Sequence, residues 1–351
     1  MTGWWAWATI AFAGSSSATV DVLVGARGDP EATLEQPRSA PDAPLEPSAT
    51  TAILGEARRS WERGPWVGVS GEAWTYLPEP DPTLFRLTPR IGWSSAVGEH
   101  GHVDLAARYA FEAVPLRPSL DSGRAEATLA CGPTFGDHGL DLVATGVDRR
   151  WFGTSQWSFR TAEGGLQWRW QPSDWRFGAR ATGQANAGFT IGPDGTTEPA
   201  TGRQLRLGAT VGYTHGAFDV SAEYRLYVAG EGQVEDAVRP QFTPIGEYDD
   251  DADALSAGGF VQHRLSGALG GTFGPWRLTA DALGRLRVNE AGQPSAALVR
   301  SGHLAVDLGR RLGERGPQLH ATVGVNAFQT PAGTGAFDPY GWVGVRWSIP
   351  R

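Results

Sequence analysis

Arginine is the residue type in this sequence that points most directly to a chemistry. All 30 basic residues are arginines, because the chain contains no lysine. A guanidinium group carries a rigid fork of donors that binds carboxylate, sulfate or phosphate through two parallel hydrogen bonds. Several arginines alternate with apolar residues, as Arg225 does between Tyr224 and Leu226. This spacing predicts a surface that binds or guides anions, although the codon bias of a GC-rich genome would also enrich arginine.

A catalytic triad is the second chemistry to consider. Ser301, His303 and Asp307 would project from one face of a strand, because they are separated by even numbers of residues. Asp307 would stand about 13 Å from His303 along that strand, which is too far to orient the imidazole ring. If this strand belonged to a membrane protein, a lipid-modifying hydrolase would also need its nucleophile on the strand face that contacts lipid. We therefore predict no enzymatic activity and no cofactor.

Metal and nucleic-acid binding are not predicted either. The stretch 249–253 contains four aspartates but lacks the spacing and the glycine of an EF-hand loop. The single Cys131 excludes an intramolecular disulfide and a cysteine-based zinc cluster. The formal net charge of -8 argues against a nucleic-acid partner.

The elements that must position the arginines have the period of two that is typical of β-strands. After the first twenty or so residues, no uncharged apolar run reaches the 18 residues of a spanning helix. A membrane strand needs only alternate apolar residues, so a mean hydropathy of -0.28 is compatible with one. The clearest alternation of apolar and polar residues is found in 102–113, 203–213, 217–228, 276–288 and 318–327.

Seven short turn motifs divide the chain into pairs of such strands. Neighbouring turns lie roughly 35 to 60 residues apart, which leaves room for two strands and one longer polar loop. The turns are Glu62-Arg63-Gly64-Pro65, Gly98-Glu99-His100-Gly101, Gly136-Asp137-His138-Gly139, Gln171-Pro172-Ser173-Asp174, Thr214-His215-Gly216, Phe273-Gly274-Pro275 and Gly313-Glu314-Arg315-Gly316. The predicted loops are 28–50, 78–83, 115–122, 152–156, 188–202, 229–258, 289–296 and 330–338.

The fold class predicted from this pattern is all-β, a transmembrane up-and-down antiparallel β-barrel. It has about sixteen strands, with fourteen or eighteen also compatible, short periplasmic turns and longer extracellular loops. A soluble sandwich also alternates, but it would not repeat strands over the whole chain. Aromatic residues also cluster at strand ends, as in a membrane girdle. They are Trp61, Trp66, Trp168, Trp170, Trp175, Tyr213, Phe218, Phe273 and Trp276.

The first residues predict an export signal. Trp4 to Ala13 is a short apolar core, and small residues offer cleavage sites after Ala13 or Ala18. No arginine or lysine precedes this core, which departs from the usual pattern. We therefore expect a signal peptide over 1–18 and a β-barrel over 19–351. An even strand number places both termini in the periplasm of a bacterial cell.

If the apolar faces meet lipid, the arginines on the opposite faces line the lumen and face solute. Fewer acidic residues share those faces, so the predicted lumen is mildly positive. Cross-strand ion pairs that brace the wall are the alternative role. The predicted solute-facing residues are Arg86, Arg90, Arg108, Arg124, Arg176, Arg180, Arg206, Arg225, Arg264, Arg277, Arg285, Arg287, Arg311 and Arg346.

This plan of strands and turns resembles the bacterial outer-membrane porin class over residues 18 to 351. The resemblance implies a multi-pass barrel in the outer membrane that meets outer-membrane lipid, lipopolysaccharide and the barrel-assembly machinery. Two features differ: 115–122 is too short for a pore-folding loop, and the chain ends in Pro350-Arg351 rather than an aromatic residue. The arginine-rich interior is also similar to that of alginate-type polysaccharide-export barrels.

Three functions are compatible with these observations. The first is a channel that passes hydrophilic, mainly anionic solutes through an arginine-lined lumen. The second is an export barrel for an anionic polysaccharide, which would bring secretion-system components as partners. The third is a non-conducting structural or adhesive barrel, filled by its own ion pairs and by 229–258.

Overall fold

Sixteen β-strands make up the secondary structure of the described residues. The computed structural model describes residues 15–27, 48–61, 64–77, 83–115, 118, 121–153, 158–191, 197–230, 259–289, 298–313, 316–329 and 335–349. The strands are β1 (Ser16–Arg27), β2 (Ser48–Ser60), β3 (Pro65–Leu77), β4 (Leu84–Val97), β5 (Gly101–Ala113), β6 (Ser122–Phe135), β7 (His138–Trp151), β8 (Phe159–Trp170), β9 (Trp175–Ile191), β10 (Thr197–His215), β11 (Phe218–Ala229), β12 (Phe260–Phe273), β13 (Trp276–Asn289), β14 (Leu298–Arg311), β15 (Gln318–Gln329) and β16 (Gly335–Ile349). Within these ranges, no helix has the length and apolar character needed to cross a membrane.

The strands form one closed barrel. Each strand pairs with its neighbours in sequence, and β1 pairs with β16 from Ala18↔Ile349 to Arg27↔Tyr340. All of these pairings are antiparallel, as in the β1–β2 pair. The predicted up-and-down antiparallel barrel of sixteen strands is therefore confirmed. Closure gives the backbone groups of the first and last strands a partner, as a sheet in lipid requires.

The seven predicted turns are confirmed at one end of the barrel. Each turn contains one residue with a positive φ, where a side chain is disfavoured. Six of these residues are glycines, and the seventh is Ser173 with a φ of 52°. The positive-φ glycines are Gly64, Gly98, Gly136, Gly216, Gly274 and Gly313. The first residues of β1 and the last residues of β16 lie at this same end.

The barrel is apolar on its outer face. Large aliphatic side chains alternate with smaller or polar ones and remain exposed: Leu166 is 54% exposed, Leu265 60% and Val323 63%. The opposite, inner face contains buried polar residues such as Gln262 and Asn186. This distribution inverts that of a soluble domain and fits a barrel surrounded by lipid.

Aromatic residues form a girdle on the outer face near the short turns. The ring centroids of Trp175 and Tyr213 are 4.8 Å apart, and those of Trp170 and Phe177 are 5.2 Å apart. One predicted member differs, because Trp66 is buried on the inner face under the guanidinium of Arg58. Trp66 lies on the same face of β3 as the buried Trp74, and Arg58 on β2 lies on this inner face as well. The prediction failed because Trp66 lies next to a turn, where interfacial aromatic residues are common.

Some strand boundaries differ from prediction. β9 and β10 run into the predicted loop 188–202, where Gly188 pairs with Ala200 and Ile191 with Thr197. Pro89 lies within β4 and does not end the strand. Proline has no N–H, and the β4–β5 pairing resumes at Arg90↔Arg108 after Leu87↔Phe111 without a change of register.

The outer face should reject charge in the middle of its apolar band. Leu166 lies four residues above the last residue of β8, about 10 Å along the barrel axis. We expect Leu166→Arg to lower the free energy of unfolding by about 2–4 kcal/mol, because a guanidinium would enter the bilayer core. Urea unfolding in lipid vesicles, followed by tryptophan fluorescence, measures this. Leu166→Ala is the matched control, and an equal loss in both variants would contradict a lipid-facing position.

The N-terminal strand distinguishes the two predicted cleavage sites, both of which stay predictions. Ser16, Ser17 and Ala18 already pair with β2, and the Ser60 N–H donates to the Ser15 carbonyl at 2.8 Å. Cleavage after Ala18 would remove these pairs, whereas cleavage after Ala13 would retain them. We therefore expect a mature N-terminus at Gly14. The intact mass of protein from outer membranes tests this, and an N-terminus at Thr19 would contradict it.

Candidate functional site: the charged inner face

All fourteen predicted arginines occupy the inner face of the barrel. Each alternates with residues of the outer face, as Arg86 does with the exposed Phe85 and Leu87. Twelve of them are buried or half-buried, whereas Arg277 and Arg311 are exposed near the short turns. Whether any of them meets solute depends on their charge partners.

Carboxylates bridge the arginines of β4 to β7. Glu112 accepts hydrogen bonds from Arg86 at 2.9 Å and from Arg149 at 3.1 Å. Arg86 also contacts Glu72 on β3. The same bridging occurs at Glu126, which accepts from Arg108 at 2.6 Å and from Arg124 at 2.9 Å.

This side of the barrel fits the wall-bracing role. Each carboxylate ties together guanidinium groups, and the pairs that cross strands hold neighbouring strands together. Arg90 continues the pattern towards the short turns, where it donates to Ser70 at 2.9 Å and approaches Glu56 to 3.7 Å. The charges on β3 to β7 are therefore largely engaged with one another.

Glu163 on β8 forms a second centre. Its two oxygens lie 2.6 Å from Arg180 Nη2 and 2.8 Å from Arg206 Nη1. The Glu163 side chain is only 9% exposed, so its charge is removed from water and depends on both arginines. Arg206 also lies over the ring of Tyr227 at 5.4 Å. One carboxylate therefore joins β8, β9 and β10.

Arginines face one another on β11, β12 and β13. Arg225 is the direct cross-strand partner of Arg264, and Arg264 is the direct partner of Arg285. Directly opposed side chains have Cβ atoms about 5 Å apart, and like charges in this position repel. Glu223 lies 2.7 Å from Arg225 Nε. One pleat away, Arg287 donates to Gln262 at 2.8 Å.

The barrel seam contains a separate cluster. Asp21 on β1 lies 2.7 Å from Arg346 on β16 and 2.8 Å from His320 Nε2 on β15. The other nitrogen of His320 lies 2.9 Å from Asp307 on β14. Both imidazole nitrogens therefore contact carboxylates, and four neighbouring strands contribute to one buried charge cluster. The sequence predicted that Arg346 and His320 lie on polar strand faces but did not predict that they meet Asp21.

The sequence prediction missed further inner-face charges on β7, a strand that has charged residues on both faces. Arg149 and Asp141 lie on the inner face of β7, and Asp141 contacts Arg169 at 2.8 Å and His102 at 3.1 Å. The alternation of Leu140 and Leu142 with Asp141 could have revealed this face. Charged residues nearer the long loops obscured it, because Asp148 and Arg150 share the outer parity.

Neither a catalytic triad nor a metal centre is assembled in the described residues. His303 Nε2 lies 3.0 Å from Asp281, and its Nδ1 lies 2.9 Å from Asn326. Asp307 instead accepts hydrogen bonds from His320 and, at 2.7 Å, from Thr322. Across the described ranges, no group of three or more histidine, cysteine or acidic residues could hold a metal ion. The predicted acidic stretch 249–253 lies outside the described residues.

Arg176 lies on the inner face of β9. It donates to the hydroxyl of Thr214 on β10 at 2.8 Å. Both residues are close to the short turns, where Arg277 and Arg311 also lie. Positive charge on the inner face therefore extends from the short-turn end to Arg287, near the long-loop end of β13.

No family model and no curated protein matches the sequence. Solved structures do match the fold. OccAB1 of Acinetobacter baumannii is 7% identical with a TM-score of 0.51, over 96% of this chain and 98% of that one. A bacterial polysaccharide outer membrane secretin is 9% identical with a TM-score of 0.50, over 96% of this chain and 99% of that one. At these identities the likeness shows the fold, a closed sixteen-stranded barrel of the outer-membrane type.

The bridge at Glu163 provides a test of wall bracing. We expect Glu163→Gln to lower the free energy of unfolding by about 3 kcal/mol, because Arg180 and Arg206 would lose their shared buried carboxylate. Glu223→Gln is the matched control, since Glu223 is more exposed and pairs with Arg225 on its own strand. Urea titration of both variants in vesicles measures the difference. Equal losses would mean that Glu163 does not hold the three strands together.

Proposed function

We propose that this chain is an outer-membrane channel that passes hydrophilic solutes and favours anions. The long loops lie outside the cell in this proposal, and both termini lie in the periplasm. A closed barrel of sixteen strands encloses an interior wide enough for an aqueous path. Sixteen strands around a polar inner face therefore support passage of small hydrophilic molecules.

The observation that carries the anion preference is the row Arg225–Arg264–Arg285. Three guanidinium groups on adjacent strands bring positive charge together, and Glu223 lies beside Arg225. Repulsion within this row falls when a mobile anion comes near, because the anion satisfies several donors at once. Rings and rows of charge select the permeating ion in this way.

The opposite wall gives the proposal its asymmetry. On β4 to β7, Glu112 and Glu126 each join two arginines, so carboxylates offset part of the positive charge there. An anion that follows β11 to β13 meets three directly opposed guanidinium groups, whereas one near β5 meets arginines that share Glu112 and Glu126. Wall bracing and anion guidance therefore belong to different sectors of the barrel.

A second candidate is the export of an anionic polysaccharide. Arg277, Arg285 and Arg287 lie at different heights on the inner face of β13, and such a series suits a polymer that carries many charges. Deleting the gene should then abolish an anionic surface polymer. Unchanged polymer in the deletion strain would leave the solute channel as the better proposal.

Ion selectivity tests the channel directly. In a planar bilayer with a tenfold salt gradient, we expect a reversal potential that favours anions. Arg225→Gln, Arg264→Gln and Arg285→Gln combined should reduce this preference, because the positive row is removed. The control carries Arg59→Gln and Arg310→Gln, which alter outer-face arginines that lie over Trp61 and Trp276.

Three results would overturn the proposal. A cation-favouring reversal potential in the unmodified protein would contradict the anion preference. Selectivity unchanged by the triple replacement would reduce the row to a structural role. Absence of conductance in the folded protein would favour a structural or adhesive barrel instead.

A further inference from the structure

A basic patch lies on the outer face of the barrel, where apolar residues are expected. Arg150 on β7, Arg160 on β8 and Arg203 on β10 all have outer parity and are exposed. The inner-face channel does not use these side chains, because they project from the other side of the wall. They therefore require a separate explanation.

Their height places the three arginines at the edge of the apolar band. Arg160 is ten residues above the last residue of β8, and Arg150 is twelve residues above the first residue of β7. Arg203 is twelve residues from the short-turn end of β10. With the usual rise and tilt of barrel strands, these positions lie about 25–30 Å above the short turns. The apolar band of such a barrel is about 25 Å tall, so the patch meets the headgroups of the long-loop leaflet.

Other strands have apolar residues at comparable height. Leu87 and Phe111 lie ten residues from the short-turn ends of β4 and β5, and both are exposed on the outer face. Val228 is in the same situation on β11. The arginines therefore distinguish this sector of the rim from β4, β5 and β11.

Asp148 holds two of the guanidinium groups in place. It lies 3.0 Å from Arg150 Nη2 and 3.5 Å from Arg160 Nε, across the pair Asp148↔Arg160. The arginine side chains are 61% and 69% exposed, and together with Asp148 they keep a net positive charge. Each guanidinium has five N–H donors, so both groups can donate to a further anion while Asp148 orients them.

The surface below the patch is shaped by small residues. Outer positions towards the bilayer centre include Ala144, Gly146, Ala162 and Gly164 on β7 and β8. Ala185 lies between Ala162 and Arg203 in the register of β8 to β10. Large side chains would fill this space. Here acyl chains can lie flat against the wall beneath a headgroup held by the arginines.

We propose that Arg150, Arg160 and Arg203 form a binding site for the phosphorylated glucosamine headgroup of a lipopolysaccharide. Two observations favour this lipid. The patch extends from β7 to β10, a distance of about 10–15 Å across the sheet, so it can contact more than one phosphate. In the proposed orientation it also faces the outer leaflet, where lipopolysaccharide is the anionic lipid. The inference thus rests on the proposed orientation but not on conductance.

Lipid binding by the folded protein tests the site. The probes are rough lipopolysaccharide, the same lipid after phosphatase treatment, and phosphatidylglycerol, each titrated against the detergent-solubilised barrel by native mass spectrometry. We expect Arg150→Gln, Arg160→Gln and Arg203→Gln combined to weaken binding of the phosphorylated lipopolysaccharide by about tenfold or more, because charge-assisted hydrogen bonds to phosphate are lost. The variant with Arg59→Gln and Arg310→Gln should bind as the unmodified protein does.

The outcomes separate this site from the channel. Equal binding of lipopolysaccharide by the triple variant would overturn the site, as would equal binding after phosphatase treatment. Equal affinity for phosphatidylglycerol would overturn the commitment to lipopolysaccharide. Bilayer conductance of the triple variant should stay unchanged, so loss of lipid binding with intact conductance supports the site. A loop epitope that is accessible only from the periplasm would refute the orientation alone.

Discussion

The requirement that every backbone polar group find a partner in lipid governs this structure. β1 pairs with β16 over ten register positions, so the sheet has no free edge. Closure divides the side chains into an outer set that contacts lipid and an inner set that contacts water or other protein groups. The period of two then allows charged residues to alternate with leucine and phenylalanine in one strand, because each faces a different environment.

The inner charges differ between sectors of the wall. Glu112, Glu126 and Glu163 each join two arginines, which restricts those side chains and offsets part of their charge. On β11 to β13 the arginines are opposed to each other instead. A barrel can therefore use one residue type both for mechanical cohesion and for a directional electric field, and the positions of the carboxylates decide which role applies.

The sequence predicted the fold well because alternation and turn chemistry are local. The seven turns and the sixteen strands follow from glycine, proline and parity, and all fourteen predicted arginines have inner parity. Ion pairs were beyond reach, because the register between strands decides which charges meet. Asp21 and His320 are 299 residues apart, and only the closed topology brings them to 2.8 Å. Trp66 was assigned to the wrong face because it lies next to a turn. Arg149 was missed because charged residues occupy both faces of β7.

The Asp21–His320–Arg346 cluster has a consequence for biogenesis. Asp21 belongs to the first strand that is synthesised, whereas His320 and Arg346 belong to the last two strands, β15 and β16. A nascent sheet that has not yet joined its ends would expose an acid on one margin and bases on the other. Electrostatic attraction between these margins would favour pairing of β1 with β16 in the correct register. The barrel would then close only after β16 has been synthesised.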